Sequence, residues 1–165
     1  MTAKIGGAAT AKVIGRLTGS AGMNSSIAAL TEGSATVSAL NVAQVRAQNV
    51  AADLAERSGS VKYPAVQVYC EKIANQLTEK FRSFSGKVQM AIEVRHSQDR
   101  LDGLQDALEL YADAATQVLN AGRGDWGDGM FYGGGYEVSF GAVKSGGRNF
   151  IQVAKVTFEI GVSRS

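Results

Sequence analysis

The stretch Val88-Gln89-Met90-Ala91-Ile92-Glu93-Val94-Arg95-His96-Ser97-Gln98-Asp99-Arg100-Leu101-Asp102-Gly103-Leu104 decides the fold, because the apolar period changes within it. Val88, Met90, Ile92 and Val94 alternate with Gln89, Ala91, Glu93 and Arg95, which predicts a strand apolar on one face and polar on the other. Further on, the apolar residues recur at Leu101, Leu104, Leu108, Tyr111, Ala115 and Val118. Steps of three and four put all of them on one face of a helix. Ser97 reads as its N-cap, with Asp99 in the first turn where the helix dipole favours negative charge. Asn120-Ala121-Gly122 supplies the stop.

Upstream, Tyr63-Pro64 marks an extended segment, since the residue before proline is pushed out of the helical region. Val66, Val68 and Cys70 then alternate with Gln67, Tyr69 and Glu71 as a strand. Between the two strands, Ile73, Leu77 and Phe81 permit a short helix, and Ser83-Phe84-Ser85-Gly86 a turn. Downstream of the long helix, Tyr136, Val138 and Phe140 alternate with polar or small residues, and Ser145-Gly146-Gly147-Arg148 turns into a last strand. That strand carries Phe150, Ala154, Val156, Phe158, Ile160 and Val162 on one face. At roughly 13 residues it is about twice the usual length. Part of it is therefore expected to project or pair with another chain, because an open strand edge templates association.

The order over residues 63–165 is strand, strand, helix, strand, strand. It predicts an α+β core domain: a mostly antiparallel β-sheet with one long amphipathic helix packed on one face. Residues 1–62 read as an extended or partly helical N-terminal arm and linker that contacts other subunits. Residues 1–31 carry Lys4, Lys12 and Arg16 and no acidic side chain. Lys12 and Arg16 interrupt every stretch that might serve as a secretory h-region, and five glycines weaken a transit-peptide helix. A surface arm or short helix ordered by packing on a neighbour is the expectation. In residues 33–62, Val42, Val45, Asn49, Val50 and Leu54 permit a helical stripe, while 37–45 also reads as an extended arm; Arg57-Ser58-Gly59-Ser60 is a loop.

Composition narrows the function. The 165 residues are 45% hydrophobic and 19% charged, enough apolar material for one core and too little charge for general disorder. A net charge of +2 is far below that of a committed phosphate binder. The single cysteine excludes an internal disulfide framework and a multi-cysteine zinc site. No apolar run reaches the roughly 18 residues of a membrane helix, so no membrane partner is expected. Twenty glycines against one proline imply bends held by something outside them, including other subunits.

Few motifs survive inspection. Gly122-Arg123-Gly124-Asp125-Trp126-Gly127 spells G-x-G-x-x-G but follows a helix and precedes a strand, the reverse of the dinucleotide context. Its Arg123-Gly124-Asp125 has no secretion signal to support an adhesion role, and Asp125 with Asp128 makes a poor calcium site. Trp126, Met130, Phe131 and Tyr132 on a glycine-rich loop are costly to leave in water and suit an interface. With Arg123, Asp125 and Phe150 they form the candidate interface. Lys72, Lys80, Arg82 and Lys87, interleaved with Phe81 and Phe84, suggest a nucleic-acid strand, but Glu71 and Glu79 dilute the charge and favour a solvated or subunit-facing loop. His96, the only histidine, sits near Ser97 and Asp99 without the convergence a triad needs. Cys70 lies on an apolar face, where it acts as a small hydrophobe. A Cys70–His96 pair across neighbouring strands is the enzymatic alternative.

Certain segments carry a resemblance. They are Tyr63-Pro64-Ala65-Val66-Gln67-Val68-Tyr69, Ile92-Glu93-Val94-Arg95, the long helix, Gly135-Tyr136-Glu137-Val138, and Gly146-Gly147-Arg148-Asn149-Phe150-Ile151-Gln152-Val153-Ala154-Lys155-Val156-Thr157-Phe158. Over about residues 63–163 the chain resembles the neck proteins of tailed bacteriophages, and most of all the tail terminator, or tail-completion, family. The resemblance rests on element order and includes no catalytic signature. It implies a non-enzymatic virion protein with no catalytic, metal or cofactor residues, assembled in the bacterial host cytoplasm at the neck. The family forms a homohexameric ring that caps the tail tube, meets tube and sheath proteins, and docks on the head connector while genomic DNA passes through its lumen. Head-closure or connector adaptor proteins share this size and character and are the runner-up.

Overall fold

The computed structural model describes residues 4–31, 44–57, 61–146 and 148–165. Its elements are α1 (Ile5–Thr18), α2 (Met23–Thr31), β1 (Val45–Arg46), α3 (Ala52–Arg57), β2 (Ala65–Asn75), β3 (Phe84–Gln98), α4 (Leu104–Ala121), β4 (Gly124–Gly127), β5 (Met130–Tyr132), β6 (Tyr136–Phe140), β7 (Lys144–Gly146) and β8 (Asn149–Arg164). The fold is α+β, with the strands in one sheet ordered β1-β2-β3-β8-β5-β4, and β6 and β7 also on β8. Among the described residues β1 against β2 is the parallel pairing, and the others are antiparallel.

Alternation sets the faces. Val66, Val68, Val88, Met90, Ile92, Val94, Ala154, Val156, Phe158 and Ile160 point to one side and are buried beneath the helices. The stripe of α4 (Leu104, Leu108, Tyr111, Ala115, Val118) closes that core, and Gly122 ends the helix by donating its N–H to the Leu119 carbonyl at 3.0 Å. On the other face, Glu93 pairs with Arg95 at 3.0 Å, Lys87 with Glu159 at 3.2 Å, and Lys155 with Glu71. Arg95 also donates to the carbonyl of Val50, which ties the segment after β1 over this face.

Several expectations change. Ser97 is not a helix cap: β3 runs through it to Gln98, and α4 begins only at Leu104, after the left-handed Gly103. Gln98 Nε2 donates to the carbonyls of Arg100 and Asp102, at 2.8 and 2.7 Å, fixing a short loop that holds Leu101 outside the helix. No helix forms between the first two long strands: β2 continues to Asn75, and residues 76–83 are the loop of a long hairpin.

β8 is not an open edge. It pairs with β3 along nearly its whole length on one side, and with β7, β6 and β5 in succession on the other. Its length serves several short partners. One open edge lies on β2, which beyond Gln67 has no strand on its outer side among the described residues.

The N-terminal segment is partly helical, and its helices are not free. Ala9, Val13 and Leu17 of α1 and Met23 and Ile27 of α2 join the same core as the sheet. Residues 37–43 of the expected extended arm and residues 58–60 of the expected loop lie outside the described residues, as does Gly147 of the last turn.

Candidate interface surfaces

Asp128 and Gly129, with φ of 54° and 75°, form the two-residue turn of a β4–β5 hairpin. Two positive φ angles match the strand twist, so the turn directs the hairpin back onto β8, where Met130 pairs with Val162. α1 secures it: Lys12 Nζ donates to the Trp126 carbonyl at 2.8 Å and meets Asp128 at 3.0 Å, which holds the Asp128 carboxyl below the usual range. Alternate residues then face inward. Trp126, Met130 and Tyr132 are buried, with the Tyr132 ring 5.5 Å from both Trp126 and Phe158. Burial pushes the Tyr132 phenol up to about 12.

These three side chains therefore complete the protomer's own core and are not anchors on its surface. Arg123, Asp125 and Phe131 remain outside, Phe131 with 57% of its surface exposed. Phe150 is exposed as well, but it does not join them. Phe131 pairs with Gly161 and Phe150 with Gln98 and Ser145, at opposite ends of β8 and on opposite faces of the sheet. The separation along the strand is roughly 35 Å.

The β2–β3 hairpin tip presents the more exposed apolar surface. Phe81 is 100% exposed and Leu77 64% exposed, and both have left-handed backbone, with φ of 64° and 50°. The loop that carries them is ordered. Asn75 Oδ1 accepts from the N–H of Ser85 at 3.1 Å, its Nδ2 donates to Ser83 O at 3.1 Å, and Ser85 Oγ accepts from the N–H of Glu79 at 3.0 Å. Ser163 Oγ of β8 donates to the Glu79 carboxylate at 2.6 Å, and Ser83 Oγ to Arg164 O at 3.3 Å. Lys72, Lys80, Arg82 and Lys87 surround the tip and are exposed. The sequence points to Phe81 among the basic residues of a solvated or subunit-facing loop, but Leu77 reads only as part of a helical stripe. Asn75, Ser83 and Ser85, all turn formers, were the available signal.

Cys70 and His96 are not brought together. Cys70 pairs with Met90, six residues from His96 along β3, a distance of roughly 20 Å. Cys70 is half-buried under α1, where burial raises its thiol pKa and disfavours the thiolate. The His96 ring packs 5.5 Å from Tyr111, its Nδ1 has no hydrogen-bond partner among the described residues, and desolvation lowers its pKa. Among the described residues no group of three or more His, Cys, Asp or Glu side chains could hold a metal ion, and no helix is long and apolar enough to cross a membrane. No protein-family model matches the chain, and no curated protein is significantly similar to it.

Proposed function

We propose that the protein is a structural subunit of the neck of a tailed bacteriophage, a tail terminator whose ring caps the finished tail tube. The ring joins the tail tube to the head connector, and genomic DNA passes through its lumen. Its place is the virion, after assembly in the host cytoplasm. The reading starts from the resemblance over residues 63–163. The observation that carries it further is the ordered loop at 76–83 that leaves Leu77 and Phe81 in water. A left-handed backbone at a large non-glycine residue costs on the order of 1–2 kcal/mol, and an exposed phenylalanine returns nothing within the protomer. Both are accounted for if another chain covers the tip. A net charge of +2 suits a lumen that lets DNA slide, since strong phosphate contacts would retain it.

Imaging of purified protein mixed with tail tubes tests this reading. The expected result is a ring at one tube end that stops further polymerisation. Binding to the connector with tubes left uncapped moves the protein to the head-closure layer, and no binding to either contradicts the reading.

A further inference from the structure

We infer that the protomer is built for head-to-tail contact with a second copy of itself, the β2–β3 tip of one chain seating on the start of α4 of the next. The inference rests on the ring reading and names the surfaces that would make the ring.

The two surfaces lie at opposite ends of one rigid strand. The tip precedes β3 at Phe84, and the loop before α4 follows β3 at Gln98, so roughly 45 Å of strand separates them. They are opposite in charge. Residues 72–87 carry Lys72, Lys80, Arg82 and Lys87 against Glu79, with Arg82 paired to Glu79 and Lys87 to Glu159, whereas residues 98–113 carry Asp99, Asp102, Asp106, Glu109 and Asp113 against Arg100. All five carboxylates are exposed, and none joins an ion pair among the described residues. The helix dipole accounts for an acid in the first turn, such as Asp106, but not for Glu109 and Asp113 farther along.

Each surface also displays apolar side chains on an ordered loop. Leu77 and Phe81 stand out at the tip; Leu101, 57% exposed and held out by the Gln98 hydrogen bonds, stands at the receiving end, with Phe150 paired beside Gln98. A leucine or phenylalanine buried at the centre of opposed charges is the composition of an interface core and rim. Made reciprocally between two copies the contact gives a two-fold dimer; made once per copy it gives a head-to-tail series, which is the arrangement the ring reading requires. That series closes as a ring when the rotation permits.

The test uses the full-length protein and native mass spectrometry across a concentration series. Phe81→Gly, at a fully exposed left-handed position, should leave the melting temperature unchanged or raised while weakening self-association at least about tenfold. Lys80→Glu with Arg82→Glu should weaken it similarly, as should Asp102→Lys with Asp106→Lys. Mixing the two charge-reversed proteins should restore alternating assemblies. Closed oligomers unaffected by all three variants would overturn this interface and leave the ring reading standing. A wild-type chain that stays monomeric would overturn both.

Discussion

Trp126 is held from several sides: its indole N–H donates to the Gly122 carbonyl at 2.6 Å, the Arg16 guanidinium lies 4.6 Å over its ring, and Tyr132 packs against it. Truncation there removes core volume as well as those contacts. Trp126→Ala should cost about 3–5 kcal/mol in chemical denaturation. Phe131→Ala, five residues away on the outward side of the same hairpin, should stay within about 0.5 kcal/mol. Equal losses would mean that the hairpin does not orient these residues as described. His96 yields a pH effect. Its pKa is lowered in the fold from the ordinary 6.5, chiefly by desolvation, so below that value the unfolded chain binds a proton that the folded chain resists. The stability present above about pH 6.5 is therefore lost as the pH falls toward the folded-state pKa. Melting temperatures from pH 7.5 to 5 should decline in the wild type and decline less in His96→Gln. Parallel curves would remove His96 as the cause.

Elements show which signals were legible. Alternation at 66–70, 88–94 and 150–162 located strands correctly because an apolar face is largely buried in each, and at 136–140 it located a strand whose alternating side chains stay exposed except for half-buried Val138. The α4 stripe was legible for the corresponding reason at helical period. Ile73, Leu77 and Phe81 mimicked a helical stripe through their spacing of four, but periodicity reports a buried face only where the residues are buried, and these three are exposed. The loop at 122–135 hid a hairpin whose signal, Asp128-Gly129, was present and passed over beside the aromatics. Gly129 tests that turn. Its φ of +75° is left-handed, and an added Cβ would lie 2.0 Å from the Ser163 carbonyl oxygen. Gly129→Ala should cost about 1–3 kcal/mol. Gly133→Ala, with nothing within 4 Å of the added carbon, should be nearly neutral in the same thermal melts.

At the scale of the molecule, the N-terminal helices and the central strand β8 show what a linear reading loses. α1 is rich in glycine and alanine, and α2 is short, with serine, asparagine and threonine beside its apolar residues; their contribution to the core depends on distant partners, chiefly β2 for α1 and α4 for α2, that no local pattern announces. The length of β8 signalled extra pairing, and the pairing is within the chain, to β3, β5, β6 and β7. The exposed surface differs between the two ends of β3, basic and apolar at the β2–β3 tip, acidic and apolar at the start of α4. Native mass measured from low to high protein concentration decides whether the chain is a ring-forming subunit. The expected result is one discrete closed species near six copies, weakened by raised salt as exposed opposite charges are screened. A monomer throughout the series, or a continuous ladder with no closed member, would contradict it.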